Sequence, residues 1–117
     1  MKYLLMFAAN EDEWMAMREE ERAEAIARIG QWYAQNARAG TIVDGTRLEG
    51  GRSARTVLLG PAGRSRKPSV VDGPFVEAKE VIGSIAVIEA DDLGAAIRVA
   101  SSWPAGGKVE IRPVKDE

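Results

Sequence analysis

Two stretches of this chain, Tyr3 to Ala8 and Ile85 to Ile88, are apolar on both alternating faces. A strand with that pattern needs cover on both sides. Two helices of useful length accompany them: Glu19 to Ala39, and a second one capped by Asp91 or Asp92 and stopped at Trp103-Pro104. Two helices cover one face of a sheet. With 117 residues, the chain suffices for a single domain over residues 1–117, with little left to cover the other face. A monomer would expose a large apolar patch, which soluble monomers seldom do. The economical arrangement is a second copy packed sheet to sheet; long loops lying over the face are the alternative.

The apolar run at the start is seven residues long and runs at once into Glu11-Asp12-Glu13, where a signal peptide would need a small-residue cleavage site. It reads as a buried strand. Nothing approaches the roughly 18 apolar residues of a membrane span, and a cytoplasmic location is the default expectation. Asn10 and Glu13 are spaced as a capping box for a short helical turn around Trp14 and Met17. In the main helix Ile26, Ile29, Tyr33 and Ala37 recur at threes and fours, with Trp32 beside them, and Gly40 follows as a helix stop. Thr41 to Leu48, Ala54 to Leu59, Pro68 to Asp72, Val81 to Glu89 and Lys108 to Val114 are the remaining strand candidates. Ala54–Leu59 and Pro68–Asp72 form a hairpin around Gly60-Pro61-Ala62-Gly63. The second helix carries the stripe Leu93, Ala96, Ile97 and Ala100. Strand, helix, strand, hairpin, strand, helix, strand describes a ferredoxin-like βαββαβ sandwich of the α+β class with an extra hairpin. Paired through its open face, it makes a dimeric α/β barrel.

Chemistry is bounded by what is missing. There is no cysteine, hence no disulfide, thiolate nucleophile or cysteine zinc site. There is no histidine, the commonest general base and metal ligand. Sixteen basic and eighteen acidic residues leave a net charge of −2, which gives no reason to expect nucleic acid or an anionic membrane as partner. The acidic residues from Glu11 to Glu24 lack the fixed spacing of a calcium loop and read as a solvated helix start, so no metal or other cofactor is expected.

The most distinctive stretch is Asp72-Gly73-Pro74-Phe75, trailed by Glu77, Lys79 and Glu80. Proline after Gly73 favours an extended Gly73 and a stiff corner, and Asp72 can hold backbone amides two residues on. That structural role needs no ligand. Alternatively the corner fixes the carboxylate at the mouth of a cleft, where partial burial against Phe75 suits acid–base work; a neighbouring arginine or Lys79 would make it a structural anion instead. Arg47, Arg52, Arg55, Arg64, Arg66 and Lys67 place six basic residues in 21 positions, offset only by Glu49. They suit an acidic metabolite or phosphate, or a solvated hairpin protected from edge pairing. Tyr3, Trp32 and Trp103 suit the core or an interface better than a stacking platform.

Several of these segments resemble the YCII-related proteins, in the branch marked by an Asp-Gly-Pro-Phe signature. Met1-Lys2-Tyr3, the run Gly40 to Gly45, the run Asp72 to Glu80 with Gly83, Trp103-Pro104 and the run Val109 to Val114 carry the likeness in order. It implies the dimeric α/β barrel reached above from burial. It also implies a bacterial cytoplasmic protein, often encoded beside or fused to extracytoplasmic-function sigma factors. Wider relatives place a histidine on the first helix near an aspartate, and a few act on ring compounds, for example by dehydrochlorination. Counted back from Gly40, that histidine's place falls near Ile29, so the dyad chemistry does not carry over. Asp72 matches the signature aspartate.

Two functions follow as expectations. One is a small-molecule-binding homodimer, accessory or sensory to a sigma-factor system, with Asp72, Phe75, Lys79, Tyr3 and Arg47 as candidate binding residues. The other is a small enzyme with Asp72 as general acid or base on a cyclic or carbonyl-bearing substrate. A pure protein-interaction module is a third possibility.

Overall fold

The computed structural model describes residues 1–63, 67–75 and 79–116. Arg64, Arg66 and Glu77 from the motifs above lie outside the described residues. Strand β1 (Lys2–Asn10) leads into a short helix α1 (Glu11–Ala16) and the long α2 (Glu19–Arg38). Then come β2 (Ile42–Arg47), a single 3-10 turn at Gly51–Ser53, and the hairpin strands β3 (Arg55–Leu58) and β4 (Ser69–Asp72). The long β5 (Glu80–Glu89), α3 (Leu93–Ser101) and β6 (Lys108–Pro113) complete the chain. The main sheet is antiparallel with order β2-β5-β1-β6, the two apolar strands at its centre. This order is compatible with a ferredoxin-like α+β fold, to which β3–β4 adds a separate two-stranded sheet. Among the described residues no helix is long and apolar enough to cross a membrane.

Alternation along β1 sends Tyr3, Leu5 and Phe7 to one face, where they pack with Ala86 and Ile88 of β5, Trp32 of α2, and Ala96 and Ala100 of α3. Both long helices lie on this side. The other face carries Leu4 opposite Val87 and Met6 opposite Ile85, flanked by Asp44 and Thr46 on β2 and by Lys108, Glu110 and Arg112 on β6. It is an apolar centre with a polar rim, and the described helices leave it without a layer. Past Phe7 the β1–β5 register slips: Phe7 faces Ser84, but Ala8 faces Ile82, so Gly83 is the extra residue of a β-bulge.

Both helical stripes differ from the sequence expectation. In α2 the buried residues are Ile29 and Trp32, while Ile26 is 40% exposed and Ala37 is exposed. Trp32 is the centre of the face, not its margin, because its ring fills the space between helix and sheet. In α3 the buried residues are Ala96 and Ala100, with Leu93 and Ile97 about half exposed; small side chains let the helix sit close to β1 and β5. Gly45, which weakens β2 by propensity, is required by space. A Cβ there would lie 2.7 Å from Cε1 of Tyr33 and 3.1 Å from the Ile85 carbonyl oxygen.

The hairpin stands off the body. Its apolar residues Val57, Leu58, Leu59, Val70 and Val71 are between 45% and 64% exposed. The radius of gyration is 16.5 Å, against about 13 Å for a compact domain of this length. At its base Gly73 has φ +92°, on the left-handed side and not the extended conformation expected before proline. Its N–H donates to the Ala54 carbonyl at 2.9 Å, and its carbonyl accepts from the Thr56 hydroxyl at 2.7 Å. Gly73→Val is therefore expected to cost about 1–3 kcal/mol; a thermal midpoint equal to wild type would show that the corner is unconstrained.

Candidate functional site

The carboxyl end of β1, the start of β5 and the α3–β6 loop meet beside α1, and a cavity of about 320 Å³ opens there. Its floor is a row across three strands. Phe7 on β1 pairs with Ser84 on β5, and Ser84 pairs with Arg47 on β2, all on the helix side of the sheet. Ile29 of α2 and Trp14 and Met15 of α1 form the walls, with Trp103 from the loop. Trp103 lies flat on Phe7, with ring centroids 3.8 Å apart and planes 20° from parallel. Trp32 meets both rings edge-on, at 5.4 Å and 5.1 Å. Its indole N–H donates to the Ser102 hydroxyl at 2.8 Å, tying α2 to the end of α3.

Local sequence explains why this corner is fixed. Asn10 caps α1, its side chain accepting from the Glu13 amide at 3.1 Å. Glu11 then reaches the β2–β3 connection, and both its carboxylate oxygens accept from the Gly51 N–H at 3.1 and 3.0 Å. That clamp holds Leu48, Glu49 and Gly50 over the cavity. The joint between α1 and α2 is held by the Arg22 guanidinium, which donates to the Met15 and Met17 carbonyls. Beside the row, the Tyr33 hydroxyl donates to the Ile85 carbonyl at 2.8 Å. Burial pushes its pKa up, opposed by the neighbouring Ser84 hydroxyl and the Arg47 charge, so it is a neutral hydrogen-bonding group and not a ready base.

The five residues singled out in the sequence do not converge in the single chain. Arg47 lines the cavity. Lys79 lines a second depression next to it, with Trp14, Met17 and Glu80. Tyr3 is buried in the core at the opposite end of β1, its hydroxyl 3.8 Å from the Met1 sulfur. Asp72 and Phe75 belong to the hairpin base. The Asp72 side chain is 92% exposed and 3.2 Å from Arg55 on the opposing strand, and Phe75 is 84% exposed. Among the described residues no cleft edge forms around Asp72; the nearby arginine gives it the structural-anion geometry. Ser84, Phe7, Trp14, Ile29 and Trp103 are lining residues that sequence reasoning did not gather. Only the strand register brings Phe7, Ser84 and Arg47 into one row.

A family model for the YCII-related domain matches residues 1–117. The chain belongs to the YCII-related family. No curated protein matches this YCII-related chain. Within the YCII-related domain the cavity gathers aromatic and aliphatic walls, one guanidinium from Arg47, and the carboxylates of Glu11 and Glu49.

Proposed function

We propose that this YCII-related protein is a homodimer that binds a small molecule in the cavity beside α1, and that it belongs to the branch with the Asp-Gly-Pro-Phe signature. The cavity carries the reading: about 320 Å³, largely apolar and aromatic, with a few polar groups at one end, the usual character of a small-molecule site. The absence of histidine and cysteine favours binding over turnover. Ile29, buried on the cavity wall near the place counted for the relatives' histidine, adds to this. The exposed Asp72–Arg55 pair supports a structural role for Asp72 over acid–base work. A role beside a sigma-factor system rests on the family resemblance alone.

The dimer rests on three observations: the uncovered Leu4–Met6–Ile85–Val87 face, the exposed apolar hairpin, and the high radius of gyration. An isolated two-stranded hairpin is marginal in water and wants a surface to pack on. Sheet-to-sheet pairing as a dimeric α/β barrel supplies cover for the face, and a second copy supplies a surface for the arm. Light scattering at micromolar concentration is expected to give twice the chain mass. A thermal-shift series with small aromatic compounds is expected to raise the midpoint. A monomer removes the dimer from the proposal, and midpoints unmoved by every compound remove the binding function.

A further inference from the structure

The cavity has an apolar end and, among the described residues that line it, one cationic group. Phe7, Trp14, Ile29 and Trp103 supply rings and an aliphatic wall, and Arg47 lies at the other end of the Phe7–Ser84–Arg47 row. Among the described residues Arg47 makes no ion pair within 4.0 Å. Two carboxylates share the cavity. Both oxygens of Glu11 already accept from the Gly51 N–H, and Glu49 is exposed beyond the end of β2. Next to Arg47 on the adjoining strand, the Ser84 hydroxyl is a rotor that can donate to an anion. A guanidinium beside a hydroxyl, at the end of an apolar chamber, matches an acid group on a compact apolar body.

Building on the binding function proposed above, we infer that the ligand is a small organic monocarboxylate. Its apolar body lies against Phe7, Trp14, Ile29 and Trp103, and its carboxylate sits on Arg47 with Ser84 alongside. The acid group fixes orientation, and the aromatic walls supply the burial. Neutral molecules of the same shape keep the apolar contact and lose the charge-assisted hydrogen bonds.

The test compares benzoate with its uncharged counterpart benzamide, read by tryptophan fluorescence, since Trp14 and Trp103 both line the cavity. Wild type is expected to bind benzoate at least about tenfold more tightly than benzamide. Arg47→Gln is expected to bring the two within about twofold, chiefly by weakening benzoate, and Arg47→Lys to keep part of the preference. Circular dichroism confirms that both variants fold. If wild type binds the two probes equally, or Arg47→Gln keeps the preference, the acid-recognition proposal falls while the cavity remains a binding site. If neither probe binds, the acid-recognition proposal falls, and the thermal-shift series above decides the binding function.

Discussion

Trp32→Ala is expected to lower folding stability by about 3–5 kcal/mol, the range for emptying an aromatic site in a core. Trp32 is buried, touches Phe7 and Trp103 edge-on, and donates to Ser102 across the gap between α2 and α3. Alanine leaves a void at the junction of sheet and helices and strands the Ser102 hydroxyl without its indole partner. Trp32→Phe separates these effects. It keeps a ring in the cluster and loses the N–H, and its expected cost is nearer 1–2 kcal/mol. Urea denaturation of both variants checks this; equal, small shifts in the midpoint would place the helix–sheet junction elsewhere.

Gly107→Ala is expected to be comparably damaging, at about 3 kcal/mol or more, although it adds one methyl group at an exposed position. Gly107 has φ +79°, and a Cβ there would fall 2.2 Å from the Ala8 carbonyl oxygen, a backbone atom of the central strand. The chain must either move the α3–β6 loop or part β6 from β1. Gly106 provides the control. It also has positive φ, at +70°, but nothing lies within 4 Å of its Cβ position, so Gly106→Ala carries only the conformational cost of about 1–2 kcal/mol. Similar midpoints for the two variants would show that the close approach to Ala8 is not what demands glycine at 107.

The course of the chain was legible because its signals are local. Acidic residues and Gly40 bracket α2, Asp92 caps α3 through the Ala95 amide, and β1 and β5 announce themselves as doubly apolar. Which stripe of each helix turns inward was not legible. Threes and fours fit Ile26–Ile29–Tyr33 as well as Ile29–Trp32, and the choice belongs to the shape of the facing sheet. In α3 the deciding quantity is distance between layers, which puts alanines inside and leaves Leu93 and Ile97 partly outside. The site was harder still. Arg47 was visible as one charge in a basic run, but its neighbours Ser84 and Phe7 lie 37 and 40 positions away and meet it only through pairing register. Asp72 drew attention by motif, and a motif says nothing about whether its surroundings come from the same chain.

The bulge at Gly83 lets one strand serve two surfaces. Beyond it the inside-outside parity of β5 inverts: Ser84, Ala86 and Ile88 face the helices, yet Ile82, of the same parity, joins Ala8 on the open face, while Val81 turns toward the cavity. Strict alternation would have put Ile82 indoors and Val81 on the open face. A single extra glycine thus exchanges the two faces of β5 along its length, so that Val81 and Ser84, one on each side of the bulge, both line the cavity while Ile82 and Ile85 both lie on the open face.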